Sequence, residues 1–223
     1  MRLLFCLLLL VSAALAGPVP PELAAALAEF RTEGPKGWAF TQTTAADEKS
    51  LVEAFNPAKP DFQRWTLIRK DGAEPDADSL RQYRENQTRR TGGQTAPNVK
   101  DQIKTDSCEL VSDDGTRATW KFRLHPGSSE DRSADHMTAS FTLHRPSGTI
   151  ERVELGSFEP FSPVFSVSIA EARTVLTYSL PGGDTPSLLQ AVHMKVRGKA
   201  MWFKSLDSDL TVVYSDYAYA GRH

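Results

Sequence analysis

The chain has 223 residues and a formal net charge of −2, with 26 lysines and arginines set against 28 aspartates and glutamates. Such a balance argues against bulk nucleic-acid binding, which calls for a basic excess gathered into a stripe. Removing residues 1–16 leaves Cys108 as the sole cysteine, so no intramolecular disulfide is available to residues 17–223.

Taken in order, the chain opens like a secretory signal. Met1-Arg2 carries one positive charge, Leu3–Val11 is an unbroken apolar run, and Ala14-Leu15-Ala16 offers the small-x-small pattern that signal peptidase accepts before Gly17. The run falls short of the ~20 residues a spanning helix needs, so cleavage and a periplasmic location are expected, with no transmembrane segment afterwards. Cys6 lies inside the run, in the wrong context for a lipobox, and no lipidated amino terminus is expected. What remains, residues 17–223, suits one large β domain better than two ordinary ones.

Pro18–Pro21 is an extended lead-in to Glu22–Arg31, where Leu23, Leu27 and Phe30 form one helical stripe suited to packing on the chain's own domain. Gly34–Gly37 ends it. Trp38–Thr43 alternates as a first strand, with Trp38 and Phe40 on one face; Ser50–Phe55 is a short second strand, and Asn56–Pro60 a loop. A third strand is built on Trp65–Ile68 and stops at the Asp71-Gly72 corner. Pro75 cannot continue a ladder, whereas Asp76 and Asp78 can accept from the free N–H groups of a first helical turn, so a helix is predicted from about Asp76 to Arg89. Arg81, Arg84, Arg89 and Arg90 weight its later half. They read either as a solvated face or as a surface for anionic lipid or a partner. Thr91–Lys100 has no apolar periodicity and is read as a surface loop, while Cys108 is read as a small buried hydrophobe at a strand start.

The clearest β pattern follows. Ala118, Trp120, Phe122 and Leu124 alternate with Thr119, Lys121 and Arg123; Met137, Ala139, Phe141 and Leu143 alternate with Thr138, Ser140 and Thr142. With Thr149–Leu155 after the turn at Pro146–Gly148, these strands make a meander, which argues for antiparallel sheet and against βαβ crossovers. Phe165, Val167 and Ile169 begin another strand, which Arg173–Leu180 continues or pairs with. Leu188–Arg197 is the next, with a break expected at Gly198 before Ala200–Leu206, and Leu210–Tyr217 the last. Nine to eleven strands with so little helix cannot lie flat; one sheet must curl strongly, or split into two.

Catalytic patterns are lacking. His125, His136, His144, His193 and His223 show no H-x-H or H-x-x-x-H pair for a metal, and no G-x-S-x-G elbow occurs. The carboxylates at Asp113-Asp114 and at Asp207 and Asp209 sit at hairpin corners, where aspartate serves the backbone. No enzyme activity, cofactor or metal is expected.

The pattern Trp65-x-Leu67-x-x-x-Asp71-Gly72-x-x-Pro75, followed by an acidic cap, Leu80 and Tyr83, resembles a group of proteobacterial secreted proteins. Those are similar in turn to the open-barrel family of the lipoprotein carriers LolA and LolB. Val196–Phe203 and Val212–Tyr217 resemble the closing strands of such folds, and the likeness runs from Trp38 to Tyr219. It implies a mainly β fold: a strongly curved antiparallel sheet forming an incomplete, half-open barrel, with two or three short helices over an apolar cavity. The absence of a lipobox departs from the LolB type and suits a soluble carrier. Trp65, Trp120, Phe122, Phe141, Leu143, Met194 and Trp202 are then the candidates for a cavity lining. From the residues alone, two readings stay open. Either these side chains face a hollow that takes a lipid or lipoprotein acyl chain, or they fill an ordinary core and the chain is an envelope protein-interaction module.

Overall fold

The computed structural model describes residues 17–33, 35–90, 98–127, 132–201 and 203–221, without the side chains of residues 88–90. The expected signal segment, most of the loop after the second helix and the candidate Trp202 therefore lie outside the described residues. The elements are α1 (Pro21–Glu29), β1 (Trp38–Ala46), β2 (Lys49–Phe55), β3 (Trp65–Lys70), α2 (Ala77–Arg90), β4 (Glu109–Asp113), β5 (Arg117–Arg123), β6 (Met137–His144), β7 (Thr149–Ser157), β8 (Val167–Tyr178), β9 (Leu189–Ala200), β10 (Lys204–Ser205) and β11 (Ser208–Tyr219).

The strands form a single antiparallel sheet in the order β3-β2-β1-β11-β9-β8-β7-β6-β5-β4, with the short β10 beside β9. Hairpin connections suffice for β4 to β9, as the alternation of the meander requires. The non-local step is β1 against β11, where Trp38 lies opposite Tyr219. β3 and β4 end the order without pairing to one another, so the sheet is not closed into a barrel.

Directly opposed residues on neighbouring strands share a face, and the register therefore draws continuous rows across the sheet. One row runs Trp120, Phe141, Val153, Leu176, Val192, Val212, Thr44, Leu51. The next runs Phe122, Ala139, Leu155, Thr174, Met194, Leu210, Ala46. Both helices cover this same face. Phe30, just after α1, meets the ring of Phe141 edge-on at 6.1 Å and that of Tyr178 at 5.3 Å. At the other end, the Tyr83 hydroxyl of α2 donates to Glu53 of β2 at 2.8 Å. The opposite face is wet, carrying the pairs Arg117–Glu151, Arg173–Glu154, Lys195–Glu171 and His193–Asp209. Exposed pairs of this kind are worth ~0–1 kcal/mol each and decide solubility more than stability.

Under α1 lies the core. Leu23 is fully buried among Ala118, Trp120, Phe122, Phe141, Leu143, Ile150 and Val153. Helix α1 exists because Pro21 is tolerated at its first turn, and because Leu23, Ala26 and Leu27 fall on one side to meet the sheet. Helix α2 starts where Pro75-Asp76 predicts: the Ser79 N–H donates to the Asp76 carboxylate at 2.7 Å. That bond is the main reason the Asp76 carboxyl is held below its ordinary range.

Three expectations are corrected. Gly198 does not break a strand; β9 runs through it, and the missing side chain lets β8 come close, since a Cβ there would stand 2.6 Å from the Ser168 carbonyl oxygen. Phe165 is not in a strand: β8 begins at Val167 and then continues as one strand to Tyr178, with a bulge between Ile169 and Glu171 absorbing the irregular alternation. The stretch 200–206 is not one strand: Ala200 ends β9, Met201 (φ 49°) and Phe203 lie in the turn, and Lys204–Ser205 alone make the two-residue β10.

Candidate functional site

The candidate site is the helix-bearing face of the sheet, and burial changes along it. On the α1 side Trp120, Phe122, Phe141 and Leu143 retain between 0 and 3 % of their surface. Their apolar area is spent on the core, and in this structure they present nothing to a ligand. Met194 shares the face and is half-buried on β9, flanked by Thr174 and Leu210. Trp65 shares it too, reached through the opposed pairs Phe40–Phe55 and Phe55–Trp65, but sits at the far edge, away from the other four. The structure thus brings four of the sequence candidates together beneath a helix, leaves Met194 and Trp65 partly open, and Trp202 is outside the described residues.

Around Trp65 is a second aromatic group that periodicity alone did not single out. Phe40 and Phe55 stack at 5.0 Å, Phe55 and Trp65 lie 5.0 Å apart, and Phe40 meets Tyr214 at 5.4 Å and Tyr217 at 5.6 Å. All five are half-buried. They come from β1, β2, β3 and β11, so their meeting depends on the β1–β11 pairing. The only sequence signal was that Phe40 shares a face with Trp38 in the first strand, while Phe55 ends the second and Trp65 begins the third. Aromatic pairs of this geometry add ~0.5–1.5 kcal/mol beyond their burial.

A polar island lies beside these rings. Glu53, in phase with Leu51 and Phe55, is 3 % exposed and is the only buried charged residue among those described. Besides the Tyr83 hydroxyl it is approached by the Gln42 amide at 3.4 Å. Burial, and secondly the nearness of Glu53, push the Tyr214 phenol above its ordinary value. Burial does the same to Tyr178 and Tyr217, whose hydroxyls donate to the Thr32 and Leu189 carbonyl oxygens. These phenols stay neutral donors at neutral pH. Among the described residues no buried side-chain nitrogen or oxygen lacks a partner, and no group of three or more His, Cys, Asp or Glu could hold a metal. His136 pairs with Glu159, His144 with Ser147 and His193 with Asp209, each separately.

A concavity of about 250 Å³ borders this face, beside Ala26, Phe30, Ile150 and Tyr178. A second, of about 260 Å³, lies on the β1–β3 strands and is lined by Ala39, Thr41, Ala54 and Thr66, of which Thr41, Ala54 and Thr66 are opposed to one another on the other side of the sheet. Both fall below the ~300–1,000 Å³ of ordinary small-molecule sites. What the arrangement offers is therefore a surface: half-open rings and aliphatic side chains across β9, β11, β1, β2 and β3.

No family model and no curated protein matches the chain. Among solved structures, GphF Dehydratase 1 aligns at 15 % identity and a TM-score of 0.16, over 90 % of this chain and 82 % of that one. A GphF dehydratase variant made for improved crystallization aligns at 14 % identity and a TM-score of 0.17, over 87 % and 81 %. At such TM-scores the likeness carries no argument about fold or chemistry.

Proposed function

We propose that this chain binds an apolar ligand, a lipid or a lipoprotein acyl chain, along the half-open part of its helix-bearing face, and that it works at the cell envelope after export through its leader. The observation that carries the reading is the contrast in burial within one face. Rings under α1 are sealed, whereas Phe40, Phe55, Trp65, Tyr214, Tyr217 and Met194 keep part of their surface. Burial of an acyl chain on such a surface is worth ~0.8 kcal/mol per methylene, so a long chain is held without a dedicated polar group. The resemblance to open-barrel carriers points the same way, and the unclosed edges β3 and β4 are compatible with it.

Titration of the purified chain with a fluorescent fatty acid tests this. Saturable binding is expected, and Phe55→Lys should weaken it at least ~10-fold, because a charge buried against an acyl chain costs more than ~1.4 kcal/mol. No saturable uptake, or equal affinity in the variant, sinks the reading.

The same burial figures favour one alternative. With Trp120, Phe122, Phe141 and Leu143 sealed, half of the face is already ordinary core, as a non-catalytic interaction module would have. Its docking surface would then be α2, where Arg81 is exposed and pairs only with the neighbouring Asp78 among the described residues. Lipid extracted with the native protein and absent after Phe55→Lys would decide for the carrier.

A further inference from the structure

One end of the sheet carries apolar side chains that the helix-bearing face does not explain. Phe165 is 92 % exposed, Phe203 81 %, Met201 59 % and Val164 49 %. They belong to two segments held side by side. Val167 pairs with Ala200, the Met201 N–H donates to the Ser166 carbonyl oxygen at 2.7 Å, and the Val167 N–H to that of Val164 at 3.0 Å. The β9–β10 turn and the loop before β8 therefore form one tip. Its charge is mostly basic: residues 198–206 carry Lys199 and Lys204 and residues 160–168 no charge, while the bordering acids are engaged, Asp207 accepting from the Gly198 N–H at 3.1 Å and Glu159 pairing with His136. Both lysines are exposed, and neither forms an ion pair among the described residues.

Isolated exposed hydrophobes need no explanation, but grouped ones do. A protein partner would need a flat or concave patch of ~800 Å² per side; side chains at 81 and 92 % exposure instead project from a narrow tip. We propose that this tip is a membrane-docking element, which sinks Phe165, Phe203 and Met201 into the interfacial layer of an anionic phospholipid bilayer while Lys199 and Lys204 meet its headgroup phosphates. Aromatic rings settle at the headgroup level, and each lysine near an anionic surface adds attraction that salt screens. The contact stands apart from the acyl-binding face, and would set the chain down on a bilayer with that face free.

Co-sedimentation of the full chain with vesicles tests it. Binding is expected to vesicles of phosphatidylethanolamine with phosphatidylglycerol, and to fall at least ~10-fold on phosphatidylcholine alone or in ~0.5 M salt. The double variant Phe165→Ser/Phe203→Ser should lose at least ~10-fold in partitioning, and Lys199→Glu/Lys204→Glu a comparable factor on the anionic vesicles only. Both pairs are exposed, so circular dichroism and fatty-acid binding should match the parent chain, which keeps this test separate from that of the carrier reading. No sedimentation with anionic vesicles overturns the proposal, as does equal sedimentation of the serine variant. So does a dimer, seen by sedimentation velocity, that the serine variant dissolves, since the tip would then be an interface between copies.

Discussion

Gly198 and Gly182 carry the same letter and opposite meanings. A Cβ at Gly198 would stand 2.6 Å from the Ser168 carbonyl oxygen and 3.0 Å from Ile169 Cδ1, whereas nothing lies within 4 Å of one at Gly182. A backbone atom cannot rotate away, so Gly198→Val should destabilise by ~1–3 kcal/mol as overpacking does, with Gly182→Val nearly silent. Urea midpoints of the two variants check this, and equal midpoints would remove the close approach from the account. The sequence reading took Gly198 for a break because glycine punctuates strands and tight crossings alike. Cys108 was easier: a lone thiol between Ser107 and Glu109 at a strand start reads as a small buried hydrophobe, and burial to 4 % exposure pushes that thiol above its ordinary value. Glu53 was harder, because the alternation that exposes its side of β2 as inward-facing is visible only once Leu51 and Phe55 are known to face in.

At the scale of elements, α1 decides which part of the face is sealed, and Arg145 helps to hold it. That guanidinium, between β6 and β7, donates to Asp113 at the end of β4 at 2.5 and 2.7 Å, and to Glu22 of α1 at 3.0 Å. Hydrogen bonds from Arg145 first, and then from the Gly115 N–H, hold the Asp113 carboxyl below its ordinary range. A depressed folded-state value means that the stabilisation is present above the unfolded value of ~3.9 and is lost as pH falls below it through the folded one. Arg145→Met should therefore lower the urea midpoint at about pH 7, and the gap to the parent chain should narrow toward about pH 2. A gap equally wide at both pH values would show that the tether acts by packing alone. The α2 start was legible from Pro75-Asp76, a local signal. The pairing of Arg145 with Glu22 was not, as 123 residues separate them.

For the molecule as a whole, β11 is the keystone. It pairs with β1 on one side and β9 on the other, and so joins the β3-β2-β1 edge to the meander. The Trp38–Tyr219 contact closes nearly the full chain length, and long-range antiparallel pairing of this kind folds slowly. Deleting residues 208–223 should expose the edges of β1 and β9, scatter the rings of Phe40, Phe55 and Trp65, and abolish cooperative thermal unfolding. A single sharp transition near the parent Tm, followed by circular dichroism, would mean that the two parts are stable without their link.

Period-two alternation in segments such as Ala118–Leu124 and Met137–Leu143 was enough to determine antiparallel strands, their inward residues and the meander, since a strand's two faces are a property of neighbouring residues. Closure was not determined there, nor was the fate of the inward aromatics. Phe141 and Phe55 look alike as letters, yet one lies beneath α1 and the other keeps an open side. That difference comes from where a helix near the amino terminus lands on strands more than 90 residues later, and from a carboxy-terminal strand returning to β1. Both are contacts between distant parts of the chain, which only the assembled structure decides.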